Sequence, residues 1–156
     1  MADRRIQVAL DKSEFLQELK KDGSSEGPFD EYYDALVFAA TLAASKNQSS
    51  PLGKISKERP APIRMSVFAS HDLDTVINIL AVYKSSNANI LADTDEMEDK
   101  RATIFEEYAN AGLEILKKEL AGAPSYSEQI MLMLQKEKKK SEKSDSGSFD
   151  ITDILN

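Results

Sequence analysis

The sequence predicts a small, mainly α-helical domain with one short strand at its N-terminus. Over most of the chain, apolar residues recur at spacings of three and four, which is the period of an amphipathic helix. Period-two alternation is confined to residues 5–10, and glycine, proline and serine fall between the periodic segments. A chain of 156 residues is long enough for one core, so we expect about five helices in a single domain.

The N-terminal segment predicts a strand and then a short helix. Ile6, Val8 and Leu10 share one apolar face of the strand. Asp11, with Glu14 three residues later, is expected to cap the helix. The buried stripe of this helix is Phe15, Leu16 and Leu19. A strand followed by two helices also resembles a ribbon-helix-helix dimer, whose paired strands read the DNA major groove, and this N-terminal arrangement stays open.

The second helix is expected to start at Pro28 and to run to about residue 44. Its alanines favour the close approach of a neighbouring helix. The apolar stripe consists of Phe29, Tyr33, Leu36, Val37, Ala40, Ala43 and Ala44. Residues 47–62 collect serine, proline, glycine and lysine and predict a loop, while residues 63–68 fit either a short strand or a helical turn.

The second half of the chain predicts three more helices. Asp72 is expected to cap a helix that runs to Tyr83 and is apolar on most sides. Residues 93–120 form the main helix, whose acidic start suits the positive end of the helix dipole. Gly112 in its interior predicts that another backbone packs there. A shorter last helix is expected after Pro124, up to about residue 134.

Beyond a helical domain over residues 1–135, the chain predicts a linker and a docking peptide. Residues 136–148 hold five lysines, three acidic residues and no apolar residue, which indicates a charged flexible linker. Residues 149–156 follow as a C-terminal apolar peptide. Its expected partner-binding residues, which share one helical face, are Phe149, Ile151, Ile154 and Leu155. Docking on the peptide's own domain, on a partner protein or on another protomer all stay open.

Composition restricts the function classes. The chain has no cysteine, which excludes disulfides and thiolate chemistry. It shows no signal peptide and no apolar run long enough for a membrane span, so we expect a cytoplasmic protein without a membrane partner. The net charge of −7 repels phosphate backbones and favours a protein partner over DNA.

The sequence offers little to catalysis. His71 lies between Ser70 and Asp72, where we expect a loop that caps a helix rather than a metal or proton-transfer site. The acidic stretch of residues 93–98 resembles the start of a calcium loop but lacks its glycine and its third ligand. Gly53 and Lys54 lack the rest of a phosphate-binding loop. We therefore expect no catalytic residue, no cofactor and no metal, and a protein that is not an enzyme.

Direct DNA binding is the alternative, and it depends on a basic loop and the N-terminal strand. Cations gather in the loop region with Glu58 as the opposing charge, but a solvated loop is the favoured explanation of this pattern. The candidate nucleic-acid residues are Arg5, Gln7, Lys54, Lys57, Arg59 and Arg64. A homo-oligomer also stays open.

Three stretches, residues 34–40, 74–81 and 104–116, resemble the DNA phosphorothioation-associated protein 4 family, also called dnd system-associated protein 4. The resemblance spans about residues 4–120 and lies in packing motifs. It implies an accessory component of bacterial antiphage defence, in which DNA is marked with sulphur or unmarked DNA is restricted. The expected function is a non-catalytic adaptor that binds a protein from the same gene cluster. The alternative is a sequence-tolerant DNA-binding module or a transcriptional regulator of such a system.

Overall fold

The computed structural model describes residues 4–22 and 25–148 and confirms a mainly α-helical fold, 67% helical. In this part of the chain there are six α-helices: α1 (Ser13–Leu19), α2 (Tyr32–Ser45), α3 (Met65–Ser70), α4 (Asp74–Ser85), α5 (Asp95–Leu120) and α6 (Tyr126–Ser148). The strands are β1 (Arg5–Ile6), β2 (Lys21–Asp22), β3 (Ser25–Glu26) and β4 (Ile63–Arg64). The chain divides into two compact units, Met1–Glu119 and Leu120–Asn156.

The N-terminal strand is paired within its own chain. β1 runs antiparallel to β4, with Arg5 opposite Arg64 and Ile6 opposite Ile63. The chain then continues along the loop after α2, where Ala9 forms an isolated antiparallel bridge with Ile55. A ribbon-helix-helix dimer needs this strand to pair with the same strand of a second copy. That alternative is wrong, because the partner of β1 is β4 and a β2–β3 hairpin separates α1 from α2.

The predicted close approach of two helices is confirmed where α5 crosses α2. A Cβ atom built on Gly112 would lie 1.8 Å from the carbonyl oxygen of Ala39. No side chain fits at that separation, so the glycine is required by packing. The largest fully buried side chains of the first unit are Ile6, Leu16, Leu19, Leu36, Phe68, Ile77, Phe105, Leu113 and Leu116.

Two predicted helix caps are wrong. Asp11 lies inside a 3-10 turn, Leu10–Lys12, and α1 begins without a side-chain cap. Asp72 has a φ of 58°, in a left-handed turn between α3 and α4, and α4 also begins without one. The local signal for a cap was present in both places, but the Asp11 side chain pairs with Lys12 and Asp72 occupies a left-handed turn position.

Two of the middle helices depart from the sequence prediction in detail. α2 begins at Tyr32 rather than at Pro28, because Phe29 is still paired with Lys20 in an isolated bridge. α4 exposes one face, on which Ile79 is 60% and Tyr83 is 54% accessible, so it is not buried on most sides. The sequence left residues 63–68 open between a strand and a helical turn, and the structure has both, since the strand β4 is followed directly by the helix α3.

In the second unit, α6 continues through the segment that the sequence predicts as a linker. Ser125 accepts a hydrogen bond from the amide of Glu128 at its start, and Lys140 pairs with Glu137 at 3.9 Å further along. Lysine and glutamate are good helix formers, so residues 136–148 extend the helix without an apolar stripe. Residues 149–156, the predicted docking peptide, lie outside the described residues. No helix in the described part of the chain has the length and apolar character of a membrane span.

Candidate functional site

The single histidine stacks on an aromatic ring. His71 follows α3 and lies against Tyr33 of α2, with ring centroids 4.7 Å apart. Burial, and then the charges of Glu31 and Asp30, raises the pKa of nearby Asp34, while His71 lowers it. Among the described residues, no group of three His, Asp or Glu side chains is placed to hold a metal ion. The contact therefore adds an exposed ring stack between α2 and the turn after α3.

A buried carboxylate connects the N-terminal segment to α5. Glu106 accepts hydrogen bonds from the guanidinium of Arg4 at 3.0 and 3.1 Å and from the backbone amide of Gln7. Arg4 also bonds Asp99 at 2.8 Å. Burial raises the pKa of Glu106, although Arg4 and the Gln7 amide oppose that shift. With these groups mutually satisfied, the cluster holds β1 in place.

The first of two clefts, which we call the polar cleft, has a volume of about 510 Å³. Its walls are the 3-10 turn at Lys12, the loop after α2 and the middle of α5. The lining residues are Lys12, Asn47, Gln48, Ser49, Ser50, Asn110, Ala111, Glu114, Ile115 and Lys118. The loop is fixed to α5, because the Ser50 amide donates to the carbonyl of Glu107 at 3.0 Å.

The charges of the polar cleft neutralise one another. Lys12 is only 4% exposed, and its ammonium lies 3.0 Å from Glu114 and 3.2 Å from Asp11. Burial lowers the pKa of Lys12, but the hydrogen bonds to Glu114 and Asp11 outweigh it and leave the pKa raised. The same contact with Lys12 lowers the pKa of Glu114. Lys12 is thus a buried cation that is paired with two partly exposed carboxylates of its own chain.

Asn110 closes the inner end of the polar cleft. Its amide nitrogen donates to the carbonyls of Ser50 and Pro51 at 3.3 and 3.1 Å. Its side-chain oxygen is buried and has no hydrogen-bond partner within the described residues. The residue therefore positions the loop, at the cost of one unsatisfied acceptor.

The second cleft, which we call the basic cleft, has a volume of about 600 Å³ and lies between α1 and the loop of residues 54–59. Its lining residues are Leu10, Ser13, Gln17, Lys54, Ile55, Ser56, Lys57, Glu58 and Arg59. The loop is held to the N-terminal segment. The Leu10 amide donates to the carbonyl of Lys54, and the Ser56 amide donates to that of Val8, both at 2.8 Å.

The basic cleft combines cations with exposed apolar side chains. None of Lys54, Lys57 and Arg59 forms an ion pair with a carboxylate of the described residues. Leu10 is 55% and Ile55 is 39% exposed beside them. Such a surface can bind an acidic ligand and cover apolar parts of that ligand at the same time.

The structure divides the six candidate nucleic-acid residues into separate groups. Three of them, Lys54, Lys57 and Arg59, line the basic cleft, while Arg5 and Arg64 lie opposite each other in the β1–β4 pair and are exposed. Gln7 is half-buried, and its backbone amide is bonded to Glu106. The nucleic-acid role of Gln7 stays a prediction, although β1 does not form the dimeric ribbon in which it was expected.

Sequence reasoning missed the apolar half of the basic cleft. The period-two pattern placed Leu10 in the core beside Ile6 and Val8, but the 3-10 turn starting at Leu10 directs the chain out of the strand. Ile55 occurs in a polar loop and carries no periodic signal. The predicted partner-binding residues Phe149, Ile151, Ile154 and Leu155 lie outside the described residues, so their role stays a prediction.

These features define a helical protein whose first unit carries a self-neutralised polar cleft and a basic, partly apolar cleft. The chain belongs to the family described as DNA sulphur modification system-associated protein 4, whose model matches residues 5–154. The match confirms the resemblance found in the sequence and extends it beyond residue 120, through α6 and into the terminal peptide. Neither the curated proteins nor the solved structures include a significant match.

Proposed function

We propose that this protein is a non-catalytic accessory subunit of a bacterial antiphage defence system that modifies or restricts DNA, and that it acts as an adaptor by binding a protein from the same gene cluster. Membership of the family supports the association with DNA sulphur modification. The adaptor role is supported by the chemistry of the basic cleft.

The observation that carries the proposal is the exposure of Leu10 and Ile55 beside three cations. Leu10 and Ile55 are 55% and 39% exposed, so a ligand that covers them with apolar surface is bound more tightly. The sugar-phosphate backbone of DNA offers little apolar surface for this. A protein segment that carries both acidic and apolar side chains matches both halves of the cleft. The net charge of −7 also repels a polyanion such as DNA, which again favours a protein partner.

The test is native co-purification with the products of neighbouring genes, identified by mass spectrometry. We expect Leu10→Asp and Ile55→Asp to reduce recovery of the partner at least about tenfold, because an aspartate in the cleft repels an acidic segment and removes apolar contact. Ile79→Asp is the matched control, since Ile79 is equally apolar, 60% exposed and outside the cleft.

The proposal fails if the wild type recovers no gene-cluster protein, or if all three variants recover it as well as the wild type does. Deletion of residues 149–156 tests the predicted docking peptide separately. Retained capture after this deletion and lost capture with Leu10→Asp would assign the partner to the basic cleft alone.

A DNA-binding module or transcriptional regulator is the second candidate, and the Arg5–Arg64 pair is the observation that favours it. Like charges directly opposite in an antiparallel pair destabilise it, and both side chains are exposed. Because the Arg5–Arg64 pair does not stabilise the strands, both guanidinium groups are available to contact phosphates.

Gel shifts on modified and unmodified duplex at low salt test this candidate. Replacement of both arginines by alanine should weaken binding and lower the slope of affinity against salt by about two. Lys57→Ala and Arg59→Ala report whether the basic cleft contributes as well. A lack of any shift at low salt would exclude direct DNA binding.

A further inference from the structure

The basic cleft presents a specific set of requirements to any ligand. Three cations face one carboxylate, Glu58, in its lining, while Leu10 and Ile55 form apolar surface. The loop of residues 54–59 is fixed by backbone hydrogen bonds to the N-terminal segment, so the cations are presented on a fixed backbone. A matching segment therefore carries negative charges, several apolar side chains and no cation.

The chain contains such a segment. Residues 149–156 read Phe-Asp-Ile-Thr-Asp-Ile-Leu-Asn, with two aspartates, four apolar side chains and no basic residue. Asp150 and Asp153 alternate with the apolar residues, so charge and apolar surface are distributed along the whole peptide. The peptide is the electrostatic and apolar complement of the basic cleft.

The helix that precedes this segment favours an acceptor on another molecule. α6 has 23 described residues, Tyr126–Ser148, and the peptide follows these residues in the sequence. At about 1.5 Å per residue, α6 is roughly 33 Å long. A helical spacer gives much less freedom than the slack linker that the sequence predicts, whereas a second copy in solution is free to bring its own cleft to the peptide.

From these observations we infer that residues 149–156 of one copy bind in the basic cleft of a second copy. This inference rests on the proposed function, in which the same cleft binds an acidic, apolar protein segment. The self-contact then competes with the gene-cluster partner for one site, so that self-association and partner binding exclude each other. If two copies exchange their peptides, the contact forms a reciprocal pair, whereas head-to-tail contacts form a closed ring or an open filament.

Sedimentation of the full-length protein over a concentration series tests the contact through charge reversal. One variant carries Asp150→Lys with Asp153→Lys, and the other carries Lys57→Glu with Arg59→Glu. Each variant alone should lose concentration-dependent association by at least about tenfold, because peptide and cleft then have the same sign of charge. Lys100→Glu with Lys117→Glu is the matched control, since it makes the same charge change on exposed residues of α5 outside the cleft.

An equal mixture of the two reversed variants is the decisive measurement. In the mixture, the native peptide of one variant meets the native cleft of the other, and the reversed peptide meets the reversed cleft. Association at the wild-type level is therefore expected. The inference is overturned if the wild type stays monomeric, if either variant associates like the wild type, or if the mixture stays monomeric.

The same variants keep the inference separate from the proposed function. If Lys57→Glu with Arg59→Glu abolishes capture of the gene-cluster partner while the wild type shows no self-association, the cleft binds a partner and the self-contact is refuted. If self-association follows the charge pattern while partner capture is unchanged, the self-contact stands and the cleft is not the adaptor site.

Discussion

The two clefts of the first unit differ in how their cations are used. In the polar cleft, Lys12 is buried and its ammonium lies within 3.2 Å of carboxylate oxygens of Asp11 and Glu114, so its charge is paired by the chain's own carboxylates. In the basic cleft, Lys57 and Arg59 are exposed and have no ion-pair partner among the described residues. The cation of the polar cleft thus stabilises the fold, whereas the cations of the basic cleft remain available to a ligand.

The difference follows from which element supplies the opposing carboxylate. α5 passes along the polar cleft and carries Glu114 on the face toward Lys12. The basic cleft is lined by α1 and a loop, which contribute Gln17, Ser13 and the single carboxylate of Glu58. Substitutions in the polar cleft should therefore change the free energy of unfolding, and substitutions in the basic cleft should change binding.

The largest expected effect comes from the glycines beside the two clefts. Gly112→Ala, in α5 at the contact with α2, should destabilise the fold by more than about 3 kcal/mol, because the new Cβ overlaps the backbone of Ala39. Gly53→Ala, next to the basic cleft, meets no atom within 4 Å and is opposed only by its φ of 67°. A loss of about 1 kcal/mol is expected there. Urea unfolding midpoints measure both, and equal losses would contradict the assignment of α5 to a close helix contact.

A smaller loss is expected at the lysines themselves. Lys12→Ala should cost about 2 kcal/mol through the loss of a buried aliphatic stem and its ion pairs, whereas Lys57→Ala should stay within about 0.5 kcal/mol. Lys12→Met keeps the stem without the charge and should recover more than half of the loss, since both carboxylates remain partly solvated. If Met is as damaging as Ala, the charge rather than the stem stabilises this turn.

Sequence periodicity was sufficient to predict the main helices, because the apolar face of a helix repeats every three to four residues. The stripes of α2 and α5 and the interior Gly112 predict the helix contact that the structure shows. The polar cleft escaped prediction because Lys12 and Glu114 lie far apart in sequence and their pairing depends on the path of the loop between them.

Single turns and charged helices were the places where sequence reasoning was insufficient. Leu10 belongs to a period-two pattern but lies in a 3-10 turn, so its side chain joins the basic cleft instead of the core. Residues 136–148 have no apolar stripe, and helix propensity with local charge pairs extends α6 through them. Apolar periodicity reports which residues are buried, so it cannot reveal a helical segment that buries no apolar face.

The smallest expected effect is the pH dependence of the Lys12–Glu114 pair. The pKa of Glu114 is lowered from its ordinary value of 4.5, first by the hydrogen bond from Lys12. A carboxylate with a lowered folded-state pKa stabilises the protein above its unfolded pKa, and this contribution is lost as pH falls through the folded-state pKa. The stability difference between wild type and Glu114→Gln should therefore be constant near neutral pH and shrink on acidification below about pH 4.

Urea midpoints between about pH 3 and about pH 7 measure that difference. Glu96→Gln is the matched control, since Glu96 lies on the same helix in an exposed pair with Lys100 at 2.9 Å, a contact that contributes only a few tenths of a kcal/mol. If the Glu114→Gln difference does not change with pH, the contact with Lys12 does not depend on the carboxylate charge. In that case the contrast between the polar cleft and the basic cleft would rest on the burial of Lys12 alone.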